Sequence, residues 1–179
     1  GYPRTGQVYR SLGVPTACAA LDSSGVTVES LENTGASVAH VSPSHNFPTG
    51  VVMPPSRRYE LLGWAAKRSD RYIIEDDYDS EFRLSGKPLS TLKSVDALGR
   101  VIYMNTFTKT LASTVRISYM VLPPDLSVRF TRENSYLSCA VSNFEQYTLA
   151  RFMELGSFET HLNRMRRLCL RKRDAFMAL

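Results

Sequence analysis

Residues 101–122 read VIYMNTFTKTLASTVRISYMVL, and the fold class turns on them. Val101 to Met104 is a short apolar run with the composition of a buried strand. Arg116 to Leu122 is a further strand, stopped by Pro123-Pro124. Between them sits a polar turn in which Lys109 is flanked by Thr106, Thr108 and Thr110. A lysine placed directly after a buried strand is unusual, because such a position costs the ammonium part of its hydration.

Working upstream, Tyr72 to Ile74 reads as a strand that runs into Glu75-Asp76-Asp77, and Ser37 to Ser42 (SVAHVS) as another. Thr16 to Leu21 reads as a strand followed by a turn at Asp22 to Gly25. Val28 to Asn33 suits a short helix ending near Gly35. A second helix starts at Pro54-Pro55-Ser56, since proline is tolerated in a first turn. Its apolar stripe is Tyr59, Leu62 and Ala66, with Leu61 and Ala65 beside it. Residues 83–99 read as an irregular connection. Downstream of Pro124 the pattern turns helical: about 125–136, 143–155 and 157–178, the last two separated by Gly156. Phe158, Leu162, Met165, Cys169 and Phe176 form the apolar side of the final helix.

Strands alternating with helices predict an α/β three-layer sandwich with a mostly parallel, mixed sheet. The sheet part spans about 1–123 and the helical part about 124–179. In such sheets ligands bind beyond the C-terminal ends of the strands. Three polar segments fall there: 42–50, 76–79 and 106–116.

Each segment carries chemistry. A partly desolvated lysine can form a Schiff base, although a lysine at this place is, taken alone, more often a surface residue at a strand end. The Thr106 and Thr108 hydroxyls and the Arg116 guanidinium can hold a phosphate. A carboxylate in Glu75-Asp76-Asp77 can keep a pyridinium nitrogen protonated, and Tyr78 can hydrogen-bond a phenolic oxygen on the same ring. The same acids could instead bind a divalent metal or form a solvated turn. In Pro43-Ser44-His45-Asn46-Phe47-Pro48-Thr49-Gly50, His45 and Asn46 can reach a cofactor edge. A lone histidine is more often structural.

The order of these parts, together with SPSHNFPTGVVMPPSRRYELLGWAA, RYIIEDDYDSEFR and VIYMNTFTKTLASTVRISYMVLPP, resembles the MocR/GabR-type branch of the GntR-family transcription regulators. These are bacterial proteins that join a winged-helix DNA-binding head to an aminotransferase-like domain of pyridoxal 5'-phosphate (PLP) fold type I. The resemblance implies the large part of that domain, without the winged-helix head or the small C-terminal domain. It implies PLP held by Lys109, with Asp76 at the ring nitrogen, Tyr78 at the ring hydroxyl, Thr106, Thr108 and Arg116 at the phosphate, and His45 close by. It places Tyr2 and Arg4 on the ligand side, facing an amino-acid-like effector. It implies a cytoplasmic homodimer that meets DNA through the head. Ordinary aminotransferases carry asparagine where this chain has Phe47, which cannot bond the ring hydroxyl. That departure favours sensing over efficient transamination. A PLP-dependent aminotransferase and a scaffold without cofactor are the competing readings.

Composition is consistent with a globular domain: 179 residues, 43% hydrophobic and 22% charged. The net charge of +5 owes much to Arg164, Arg166, Arg167, Arg171, Lys172 and Arg173, which read as a solvated helix face. Cys18, Cys139 and Cys169 lack metal spacing and read as reduced, buried thiols. No apolar run reaches the length of a membrane span. No signal peptide opens the chain, and Gly1-Tyr2-Pro3 reads as a point inside a longer protein.

Overall fold

A computed structural model describes residues 2–82 and 89–178. Residues 83–88 of the expected connection, with Gly1 and Leu179, lie outside the described residues. The order is α1 (Pro3–Ser11), β1 (Leu21–Asp22), β2 (Gly25–Val26), α2 (Val28–Asn33), β3 (Val38–Val41), α3 (Pro55–Ala66) and β4 (Tyr72–Asp76). It continues with β5 (Val101–Thr106), α4 (Phe107–Thr110), β6 (Ser118–Val121), α5 (Pro124–Glu133), α6 (Asn143–Glu154) and α7 (Ser157–Met177).

The main sheet has the order β3-β4-β5-β6. The first three strands are parallel, with Ala39 opposite Ile73 and Ile73 opposite Val101. β6 returns antiparallel to β5, with Asn105 opposite Tyr119. The sheet is therefore mixed and mostly parallel, as its apolar strands predicted.

Strand alternation sorts the side chains. Ala39, Ile73 and Val101 point to one face and join a core with Leu61, Trp64 and Ala65 of α3 and Leu31 of α2. His40, Ile74, Asp76, Ile102 and Met104 point to the other face and are half-buried. The Tyr9 side chain of α1 reaches this second face.

Two buried arginines brace α3. Arg58 donates from Nε to the Met53 carbonyl at 3.1 Å and from Nη1 to the Ser90 carbonyl at 2.9 Å. Its Nη2 donates to the Pro43 carbonyl at 3.3 Å, and Glu75 Oε1 lies 3.8 Å from Nη1. Glu75 accepts the Leu92 and Lys93 backbone N–H groups at 2.8 and 2.9 Å. Burial pushes the Glu75 carboxyl above its ordinary pKa, against the pull of those two N–H groups. Arg71 lies over the Trp64 ring at 4.6 Å and bonds Glu32 of α2 through Nη2 at 2.6 Å.

Several expectations are corrected. Thr16 to Ala20 is not strand; it is extended and mostly exposed, and only Leu21–Asp22 pairs, in a hairpin with Gly25–Val26. That hairpin uses Gly25 at φ 102°, a backbone open chiefly to glycine. The buried residues of α3 are Arg58, Leu61, Trp64 and Ala65, whereas Tyr59 is exposed. The expected stripe was displaced because Arg58 stays buried by spending its donors on carbonyls. α1 and the short α4 were not expected at all. Cys18 and Cys139 are exposed and Cys169 half-buried, so the thiols are not core residues. The end of α7 is also open, with Phe176 exposed.

Removing one member of a buried pair leaves the other uncompensated. Glu75→Ala should cost about 3–5 kcal/mol in urea unfolding at neutral pH. Glu32 behaves with the opposite sign to Glu75: hydrogen bonds from Arg71, then Lys67, hold its pKa at about 2. Its contribution is present above the ordinary carboxylate range and is lost as pH falls towards about 2. In acid titration followed by circular dichroism, Glu32→Gln should therefore lose less stability than the parent over that interval.

Candidate functional site

The C-terminal ends of β3, β4 and β5 lie side by side, and the segments that follow them meet. Asp76 is opposite Met104, so Thr106 lies two residues further along the adjacent strand and on the same face. Three acids in a row are thereby separated by function. Glu75 and Asp77 are buried on the core side, at 0% and 1% exposure. Asp77 accepts hydrogen bonds from Ser80 and Tyr103 at 2.8 Å each. Asp76 alone faces the open side. Among the described residues no group of three His, Cys, Asp or Glu side chains is placed to hold a metal.

The Lys109 turn is built by its threonines. Thr106 caps α4 by accepting the Thr108 N–H at 3.2 Å. Thr108 Oγ1 donates to the Val115 carbonyl at 2.9 Å, and Thr106 Oγ1 to the Ile117 carbonyl at 3.3 Å. These bonds draw the Arg116 segment alongside the turn. Lys109 and Arg116 are both exposed and make no ion pair with a described residue. The expected desolvated lysine is instead a free amine at the surface of the site.

The loop 43–50 is fastened to the segment after β4. Tyr78 donates its hydroxyl to the His45 carbonyl at 2.9 Å, and His45 Nδ1 meets Asp79 Oδ1 at 2.8 Å. The Tyr78 hydroxyl pKa is raised by burial first and by the charges of Asp79 and Asp76 next. Phe47 is exposed and receives the Tyr2 ring edge-on at 5.6 Å. Tyr2 therefore stands beside the loop, whereas Arg4 is exposed on α1. Behind the lysine turn, His161 Nε2 of α7 lies 2.9 Å from the Thr110 carbonyl, and Phe158 packs edge-on against Phe107 at 5.9 Å.

The structure thus brings Asp76, Tyr78 and His45 together, and Thr106, Thr108, Lys109 and Arg116 together, along one edge of the sheet. The reading of the sequence missed His40, Tyr9 and Asp79. His40 was legible through its period-2 place in β3; Tyr9 was not, because α1 has no buried residue to mark its period.

The donor set fits PLP. A lysine and a guanidinium without an ion-pair partner among the described residues, and one half-buried carboxylate, are the groups needed for an aldehyde, a phosphate and a ring nitrogen. The Thr106 and Thr108 hydroxyls would turn from the Ile117 and Val115 carbonyls to meet the phosphate.

No family model matches the chain. It is 39% identical to the HTH-type transcriptional regulator YdeL of Bacillus subtilis, over 97% of this chain and 37% of that protein. It is 44% identical to the probable rhizopine catabolism regulatory protein MocR of Rhizobium meliloti, over 78% of this chain and 28% of that protein. The chain therefore spans about a third of the length of these two curated relatives, 37% of one and 28% of the other. Among solved structures, Pyrococcus horikoshii kynurenine aminotransferase superposes with a TM-score of 0.78 at 32% identity, over 89% of this chain and 42% of that one. The multiple substrate aminotransferase of Thermococcus profundus superposes with a TM-score of 0.83 at 28% identity, over 96% of this chain and 45% of that one. The chain corresponds to part of the aminotransferase-like domain of the MocR-type HTH transcription regulators, and it has the α/β fold of the fold-type-I PLP-dependent aminotransferases.

Proposed function

We propose that this chain is the PLP-binding, effector-sensing part of a transcription regulator. The observation that carries the reading is the pair of unpartnered cations, Lys109 and Arg116, gathered beside Thr106 and Thr108 at the strand ends that also present Asp76. An unneutralised lysine and arginine on one short turn are a standing invitation to an anionic, carbonyl-bearing ligand.

Lys109 would hold the cofactor covalently, and Arg116 with Thr106 and Thr108 would hold its phosphate. Asp76 would face the ring nitrogen and Tyr78 the ring hydroxyl, with His45 keeping the loop beside it. When bound, the cofactor supplies a carbonyl that condenses with amines and a ring that withdraws electrons. Tyr2 and Arg4 would meet an amino-acid-like effector, the Arg4 guanidinium at the effector's carboxylate. The whole protein would be a cytoplasmic homodimer and would reach DNA through a helix-turn-helix head outside this chain; the HTH type of the relatives supports this. Among the described residues no helix is long and apolar enough to cross a membrane.

Amino-group transfer is the second reading, supported by the likeness to solved aminotransferases. Phe47 weighs against it, since its ring offers no hydrogen bond to a phenolic oxygen. Turnover of amino-acid and keto-acid pairs by the natural protein separates the two.

Borohydride reduction followed by peptide mapping should find PLP on Lys109, and Lys109→Ala should abolish the adduct; an adduct on another lysine would refute the assignment. Arg116→Ala removes a charge-assisted phosphate contact worth about 1.5–3 kcal/mol, so PLP affinity should fall by about one to two decades in a spectroscopic titration. Unchanged affinity would remove Arg116 from the site.

A further inference from the structure

Asp76 does not stand alone on the open face. His40 of β3 is opposite Ile74, which sets it diagonally beside Asp76. His40 Nε2 lies 3.4 Å from Asp76 Oδ2. The other ring nitrogen, Nδ1, is 2.7 Å from the Tyr9 hydroxyl of α1, and the two rings meet edge-on at 5.8 Å. The His40 and Asp76 side chains keep 20% and 28% exposure, so the trio is shielded yet not sealed.

The direction of the chain follows from its chemistry. An ionised carboxylate only accepts, so the imidazole nitrogen that faces Asp76 is the one placed to carry a proton, and Nδ1 is left to accept from the Tyr9 hydroxyl, whose pKa is raised first by burial and then by the charge of Asp76. A neutral imidazole offers one donor and one acceptor. With Nδ1 accepting from Tyr9, the imidazole proton sits on Nε2, the nitrogen that faces Asp76. His40 Nε2 and Asp76 Oδ2 are within ion-pair distance but do not have hydrogen-bond geometry in this structure, and catalytic contacts often tighten only once a ligand is seated. The second Asp76 oxygen makes no hydrogen bond to a described residue. Of the ionisable groups around Asp76, Glu75 and Asp77 point to the core face, Asp79 pairs with His45, and Tyr78, which feels the Asp76 charge, gives its hydroxyl to the His45 carbonyl.

We propose that Tyr9 and His40 are positioning residues for Asp76: Tyr9 fixes the tautomer of His40, and His40 Nε2–H holds one carboxylate oxygen so that the other is presented to the cofactor ring nitrogen. The proposal rests on the PLP reading above. It gives α1 a task beyond covering the sheet, because the helix supplies the outermost member of the chain. A purely structural contact between α1 and β3 would need the rings to pack but would be indifferent to which nitrogen carries the proton.

The test uses the natural protein that carries this sequence. Without cofactor, nitrogen-15 NMR of the His40 imidazole should show the Nε2–H tautomer, and Tyr9→Phe should abolish that preference. With PLP bound, the pH midpoint of the cofactor's visible absorbance is the second readout. A ring nitrogen that loses its oriented carboxylate withdraws less charge, so the nitrogen linking Lys109 to the cofactor should keep its proton to higher pH. Tyr9→Phe and His40→Phe should each raise the midpoint by at least about half a unit. The double variant should add little, since the two act as one unit. His40→Gln, whose amide nitrogen takes the place of Nε2, should restore the parental midpoint. Tyr9→Phe keeps the ring packing and serves if His40→Phe fails to fold. An Nδ1–H tautomer in the parent, or unchanged midpoints in a parent that carries PLP on Lys109, would overturn the proposal. A parent with no borohydride-trapped PLP on Lys109 would overturn the PLP reading first, and this proposal with it.

Discussion

Arg58 and Glu75, buried between α3 and the sheet, hold together the segments from which the site is made. A guanidinium there is tolerable only if its donors are spent, and Arg58 spends them on carbonyls at Pro43, Met53 and Ser90. Glu75 in turn takes up the backbone N–H groups of Leu92 and Lys93. Pro43 opens the loop that carries His45 and Phe47, and Glu75 is the neighbour of Asp76. The pair that satisfies the core therefore also fixes where the loop leaves β3 and where β4 ends. Burying such a pair is rarely a gain over apolar packing. Here it secures the layout of loops that have few apolar anchors of their own.

From that base the site is a consequence of alternation. β4 sends Ile73, Glu75 and Asp77 inward and leaves Ile74 and Asp76 on the open face. One residue of register would exchange the roles of the acids and place a catalytic-type carboxylate in the core. The parallel ladders to β3 and β5 lock that register and bring His40 and Thr106 to the same face as Asp76. The lysine turn is held differently, by threonine hydroxyls bonded to the carbonyls of Val115 and Ile117, and by α7 pressing on it from behind.

How much of this could be read in the sequence depended on the kind of signal. Strands β3, β4 and β5 announced themselves as β-branched apolar runs, and α2 matched its expected span because a threonine cap and a glycine stop bracket it. α3 was found by its prolines, but its buried side was misjudged, since Arg58 and Trp64 are buried and Tyr59 is exposed. The Thr16 to Leu21 run was apolar enough to look like a strand, yet only its last residue, Leu21, pairs with another strand among the described residues. α1 escaped notice because an exposed helix shows no hydrophobic period. Among the candidate site residues, Lys109, Tyr78 and Arg116 stood out by type and spacing, whereas Asp76 was separated from its acidic neighbours only by the family resemblance. The contacts beside them, His40 with Asp76 and Asp79 with His45, join residues more than thirty positions apart and needed the sheet to bring them together.

The antiparallel return of β6 has a cost of its own. β6 is last in the sheet order, and every one of its residues, Tyr119, Met120 and Val121 included, is exposed. Its outer row of backbone donors and acceptors has no strand beside it among the described residues, and aromatic and aliphatic side chains flank that row. Such an edge recruits strands from other molecules, and here it lacks the lysines and prolines that usually discourage them. In concentrated solution this stretch is where intermolecular β-pairing and aggregation of the isolated chain would begin, along the border strand whose first residue, Ser118, lies opposite Thr106.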